Sequence, residues 1–160
     1  MCASLLAYAL IVACSQAPPL SHTHPSPSSL ASAVLDALAS GDRVALDALA
    51  LTESEFRDHV WPELPAARPE RNLPFSYVWG ELHQKSDQFL SGVLASEGGR
   101  RYELIDVRFA GETDYRTYRV HRRALLRVRN PDGAEQDLRV CGSMIEQDGA
   151  WKVISYVVED

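Results

Sequence analysis

The 160-residue chain reads as an α+β domain, with helices in its first half and antiparallel strands in its second. Three observations predict this. Apolar residues recur every three or four positions as far as Val93 and every second position after Arg100, the periods of helix and strand. Four prolines between Trp61 and Pro74 divide the helical half, because proline suits neither a helix interior nor a central strand. Turn signals at Gly111-Glu112-Thr113-Asp114, Asn130-Pro131-Asp132-Gly133 and Gln147-Asp148-Gly149 space the strands as hairpins. Helices first and strands after define the α+β class, here N-terminal helices against a four-stranded antiparallel meander.

The elements follow in order. Leu30, Val34 and Leu38, with Leu35 beside them, mark an amphipathic helix in an alanine-rich stretch. Ser40-Gly41-Asp42 ends it and caps the next, Val44 to Leu51, whose Leu46, Leu49 and Ala50 share a side. Thr52-Glu53-Ser54-Glu55 fits a capping box and opens a third short helix, to about Val60. Trp61 to Pro74 is expected to be an ordered loop in which Glu63, Arg68, Glu70 and Arg71 pair among themselves. Pro74 then starts the longest helix, Phe75 to Ser96, with Phe75, Trp79, Leu82, Phe89 and Val93 on one face. Glu97-Gly98-Gly99 stops it. In the strands, Ile105, Val107 and Phe109 alternate with Leu104, Asp106 and Arg108. Tyr118, Val120, Ala124, Leu126 and Val128 alternate with Arg119, His121, Arg123 and Arg127. Leu138, Val140, Gly142 and Met144, then Trp151, Val153, Ser155 and Val157, complete the inward sets.

The N-terminus carries an address. Ala3 to Ala13 is apolar or small throughout, the length of a signal h-region and short of the ~20 residues that span a bilayer. No basic residue precedes it, so a start a few codons upstream is expected. Residues 11–15, Ile-Val-Ala-Cys-Ser, resemble the lipobox of bacterial lipoprotein precursors. The resemblance implies cleavage before Cys14, diacylation of Cys14 and a membrane anchor in the bacterial cell envelope. Ser15 after the cysteine implies sorting to the periplasmic face of the outer membrane. The expected organisation is a signal peptide at 1–13, the lipidated cysteine and a Pro/Ser-rich tether at 14–29, and a single domain at 30–160. His22 and His24, two apart in the tether, read as solvated rather than as metal ligands.

Composition narrows the function classes. The net charge is −6, with eleven acidic and five basic residues through Gly98 and eleven of each after it. A chain with no basic surplus is a poor fit to nucleic acid. With Cys2 removed and Cys14 acylated, Cys141 has no partner, so no disulfide framework or cysteine metal site is expected. No cofactor is implied.

Leu-Asp-Ala-Leu-Ala-Ser-Gly-Asp (35–42) followed by strands ending Gln-Asp-Gly-Ala-Trp-Lys-Val-Ile-Ser-Tyr (147–156) resembles the nuclear transport factor 2 superfamily. The similarity covers roughly residues 30–158. It implies a curved antiparallel sheet wrapped round the long helix as a cone-like roll with an interior pocket. Members commonly have a strand or hairpin between the second and third helices, where this chain has its proline-rich loop. The related cystatin-like arrangement is therefore the alternative fold. The superfamily includes dehydratases, isomerases, cyclases and non-catalytic pocket or association domains, so fold alone selects no function.

Candidate residues are few. His83 and Asp87 stand four apart on the long helix, as a general-base pair would, although exposed pairs at this spacing are common. His59 beside Trp61 reads as a packing histidine, and His59, His83 and His121 share no metal-site spacing. Arg116, Arg119, Arg122, Arg123, Arg127 and Arg129 crowd one strand. As a row they suit anionic headgroups, or else cross-strand pairing with Glu103, Asp106, Asp137 and Glu146, which is preferred. Arg122 falls in the inward set, where a guanidinium needs a carboxylate or a ligand anion. Trp61, Arg71, Tyr77 and Trp79 make the least generic segment, suited to binding or to plugging the cone. The expected function is a non-catalytic, lipid-anchored envelope domain that binds a small molecule or an envelope protein, with a homodimer through the sheet as a further expectation. The alternative is a small hydrolase, dehydratase or isomerase that uses His83 or a buried carboxylate in the cone.

Overall fold

The computed structural model describes residues 17–158; the expected signal peptide and lipidated Cys14 lie outside them. Helix α1, Pro27–Ser40, begins three residues before Leu30 because Ser26 caps it, its hydroxyl accepting from the Ser29 N–H at 3.1 Å. Gly41 ends it. Helix α2, Arg43–Leu49, is capped by Asp42, whose carboxylate accepts from the Ala45 N–H. Helix α3, Glu53–Glu55, carries the complete capping box between Thr52 and Glu55 and runs on as a π-turn over Phe56–Val60. The proline-rich loop is ordered as three 3-10 turns, Trp61–Glu63, Pro65–Ala67 and Pro69–Arg71. Helix α4 spans Phe75–Glu97. Among the described residues no helix is long and apolar enough to cross a membrane.

The strands correct the expected four. The described residues form seven: β1 Glu103–Arg108, β2 Gly111–Asp114, β3 Arg119–Arg122, β4 Leu125–Arg129, β5 Glu135–Leu138, β6 Ser143–Gln147 and β7 Ala150–Ser155. They form two antiparallel sheets, ordered β1-β4-β5 and β2-β3-β6-β7. The turn expected at Gly111–Asp114 is instead strand β2, parted from β1 near residue 109, and the chain reverses between Tyr115 and Tyr118. The second and third expected strands are broken near residues 123 and 140. Hairpin bonding continues across the breaks, from the Ala110 N–H to the Arg122 carbonyl (3.0 Å) and from the Ala124 N–H to the Gly142 carbonyl (2.7 Å).

The breaks invert side-chain parity, since one extra residue turns every later side chain to the other face. Arg123 sits in the left-handed region at φ 54°. Before it, His121 is buried at 4% exposure; after it, Leu126 and Val128 are the buried set. The expected single face from Val120 to Val128 therefore does not exist. A register shift between Leu104 and Asp106 likewise puts Leu104 and Val107 against one core and leaves Ile105 exposed.

Two apolar clusters result. The larger joins Leu30, Val34 and Leu38 of α1 and Leu90 and Val93 of α4 to strand residues including Leu126, Met144 and Val153. The smaller joins Leu51, Phe56 and Val60 to Tyr118 and Ile145, with Trp61, Phe75, Trp79, Val120 and Ile154 packed against it. Alternate residues of β6 and β7 thus enter different clusters, so side chains on both faces of these two strands are buried. Helix α4 follows the same division. Phe75, Trp79 and Leu82 belong to the smaller cluster, while Leu90 and Val93 enter the larger. Phe89, expected on the apolar face, is 38% exposed, and Leu90 takes that place.

Candidate functional site

The deepest polar feature is a buried ion pair. Lys152 projects from β7 on the side of the smaller cluster, and its Nζ lies 3.0 and 2.8 Å from the two carboxylate oxygens of Glu55. Ser21 adds its N–H and hydroxyl to the same carboxylate at 2.7 and 2.8 Å. The His24 backbone also pairs with Trp151, so part of the expected tether lies along the domain. Burial opposes the Glu55 charge, but Lys152, the Thr52 N–H and Ser21 outweigh it and hold the carboxyl at about 2.

Beside this pair, α4 and the sheet β2-β3-β6-β7 line a cavity of about 740 Å³, open to solvent. Phe56, Val60, Leu82, Tyr118, Val120 and Ile154 supply apolar wall, and Glu81, Lys85 and Arg122 bring charge to it. The Tyr118 hydroxyl donates to the Val60 carbonyl at 3.2 Å, and its ring stacks on Tyr115. Burial first, then Tyr115 and Glu63, push the Tyr118 phenol well above its ordinary value, so it stays neutral. Glu63 secures the proline-rich loop by accepting from the N–H groups of Arg116 and Thr117 and from the Thr117 hydroxyl. Those bonds outweigh a desolvation that acts the other way and hold its carboxyl below the ordinary value. This replaces the expected pairing of Glu63 with Arg68 and Arg71.

The candidate residues do not converge on one site. Trp61 meets Phe75 edge-on at 5.6 Å, and Trp79 lies 5.4 Å from Phe56, so both tryptophans are packed in the smaller cluster. Arg71 is exposed and Tyr77 is 58% exposed. His83 stacks on Trp79 at 5.3 Å. It faces a second depression of about 520 Å³, which Leu82 and Ile154 share with the first. Asp87 binds the Arg43 guanidinium at 2.8 Å and reaches His83 only at 3.8 Å, so it ties α4 to α2. Both side chains are about half exposed. His83→Ala is therefore expected to change unfolding free energy by less than about 0.5 kcal/mol, measured by urea denaturation; a larger loss would give the pair a structural weight that its exposure denies.

His59 Nε2 lies 2.7 Å from the Pro18 carbonyl. The arginine row is paired across strands. Arg129 meets Glu103 and Glu135, Arg127 meets Glu135 and Asp137, and Arg119 meets Asp114. Glu146, expected to join them, instead faces His121 Nε2 at 2.9 Å, while Glu112 faces Nδ1 at 3.0 Å. The His121 ring lies 4.4 Å from Trp151. Arg122 corrects the expectation of a buried guanidinium: it is exposed at the cavity wall.

Sequence reasoning did not single out Lys152, Glu63, Tyr118 or His121 as functional. Lys152 did carry a signal, a lone charge between Trp151 and Val153-Ile154 in a strand with apolar residues on both faces. Cys141 is fully buried, and burial pushes its thiol up to about 12, which makes it a poor nucleophile. Among the described residues no group of His, Cys, Asp and Glu is arranged to hold a metal ion. Compared with protein-family models, curated proteins and solved structures, the chain matches none.

Proposed function

We propose that the protein is a non-catalytic, lipid-anchored domain of the bacterial cell envelope that takes a small molecule into the cavity beside α4. The cavity carries this reading. Its volume of about 740 Å³ falls within the range of small-molecule sites, and its walls are largely apolar. In this reading the helices pack on a curved sheet as a cone-like roll, and the breaks near residues 109, 123 and 140 supply the curvature. The polar groups suit binding and orientation: Tyr118 at the cavity is held neutral, and the His83–Asp87 pair lies in the neighbouring depression and is solvated. The lipobox-like run at 11–15 supports an anchor at Cys14 on the periplasmic face of the outer membrane.

Two measurements test the two halves. The full chain expressed in a bacterium should enter the membrane fraction with a diacylated Cys14, and Cys14→Ser should abolish both. A soluble, unprocessed chain would overturn the anchor. For the cavity, the uncharged probe N-phenyl-1-naphthylamine should bind the Cys14→Ser chain saturably at 1:1. Val120→Trp, which fills the cavity, should remove that binding; a probe indifferent to the substitution sits elsewhere and overturns the pocket.

A further inference from the structure

The charge at the cavity is not evenly matched. Of the strand arginines, Arg108, Arg119, Arg127 and Arg129 each have a carboxylate within 4.0 Å. Among the described residues, Arg122 has none. Its guanidinium lies over Gly111, its partner across the β2–β3 pair, and a Cβ at 111 would come within 2.9 Å of Nη2. Glycine at 111 therefore leaves room for that arginine conformation. On α4, Lys85 is held by Glu81 only at 3.9 Å, with both side chains about half exposed or more. Phe56, Val60, Leu82, Val120 and Ile154 and the rings of Tyr115 and Tyr118 line the walls around them.

We infer that the cavity binds an apolar molecule bearing one anionic group, a carboxylate or a phosphate, with its body against Phe56, Val60 and Val120 and its charge on Arg122. This rests on the cavity being a ligand site. A guanidinium presents a planar fork that matches both anions in bidentate fashion, and among the described residues exposed Arg122 has no carboxylate to displace. Lys85 adds a second cation on the opposite wall. The apolar walls set the other half of the selection, since an anion without a tail leaves them wet and a tail without an anion leaves Arg122 unmatched.

The test is calorimetric titration of the full chain carrying Cys14→Ser, which keeps every described residue and removes the acylation site. Dodecanoate, dodecyl phosphate and uncharged 1-dodecanol are compared below their micelle concentrations. At least one anion should bind saturably at 1:1 and at least tenfold more tightly than dodecanol. Whichever anion is tighter identifies the head group. Arg122→Gln should weaken the anion about tenfold and leave dodecanol unchanged. Gly111→Ala should act in the same direction by displacing the guanidinium, with circular dichroism confirming that both variants fold. Equal binding of dodecanol and both anions, or an anion affinity untouched by Arg122→Gln, overturns the anion assignment and leaves the cavity reading standing. No saturable binding of any of the three overturns both.

Discussion

Replacing Lys152 with methionine is expected to lower the unfolding free energy by about 3–5 kcal/mol, read as a fall in the urea midpoint with an unchanged slope. Lys152 is fully buried and the Glu55 side chain is 9% exposed. Methionine matches the lysine stem but strands the carboxylate without its cation. Three donors remain to Glu55, from the Thr52 N–H, the Ser21 N–H and the Ser21 hydroxyl, which places the loss near the lower end. Removing both charges, with Glu55→Gln and Lys152→Met together, should cost clearly less than the sum of the two single losses, because neither group is then left buried and unmatched. Strict additivity would mean that the pair is not coupled.

The same pair sets a pH window. Folded Glu55 titrates at about 2, below its ordinary value of 4.5. The unfolded chain therefore binds the proton first, and stability from this group is fully present above about pH 4.5 and lost as the pH falls toward 2. Denaturation of the wild-type chain should show that loss, and Lys152→Met should flatten it. Protonation also weakens the grip on Ser21, so the N-terminal segment should gain amide exchange in the same window. An acid profile identical in both proteins would remove Lys152 from the account.

What the sequence disclosed and what it hid divide along a physical line. The helices were legible because each carries local punctuation, such as the Thr52–Glu55 capping box or the Asp42 cap. The strand breaks were not, because a bulge is a single residue and Arg123 has none of the glycine or asparagine character that announces a left-handed position. Parity across it was misread: His121, just before it, was placed outward and is buried, while Ala124, Leu126 and Val128 beyond it are buried as expected but do not continue the face of Val120. Ile105 was misplaced in the same way by the register shift beside it. The Glu55–Lys152 pair joins residues 97 positions apart, and no local pattern encodes such a distance. At the site, Trp61 and Trp79 pack against the smaller cluster, and Arg122, expected among the inward set, is exposed. Their neighbours Arg71 and Tyr77 are exposed, Arg71 in a proline-rich loop whose turns have no fixed period from which a face can be read, and Tyr77 in the first turn of α4.

The second large effect concerns Gly142, at the break between β5 and β6. Gly142→Ala is expected to destabilise the domain by about 3 kcal/mol, measured by urea denaturation beside Gly80→Ala. An added Cβ would lie 2.0 Å from the Val157 carbonyl oxygen, 2.9 Å from its carbon and 3.0 Å from the Ser155 oxygen. All three are backbone atoms, so no rotamer change relieves the clash and the chain itself must move. That chain is tied down. The Gly142 N–H donates to the Ser155 carbonyl at 3.1 Å, and the Gly142 carbonyl accepts from Ala124. Just beyond, the Tyr156 N–H donates to the Ser86 hydroxyl of α4 and the Tyr156 hydroxyl to the Leu46 carbonyl. Displacing Val157 therefore strains contacts to two helices as well as the sheet. Gly80 is the control, because a Cβ there meets nothing within 4 Å and helix propensity alone should stabilise Gly80→Ala by up to ~1 kcal/mol. A loss below 1 kcal/mol for Gly142→Ala would mean that residues 155–158 shift freely, and the cavity wall they help to form would then be adjustable rather than fixed.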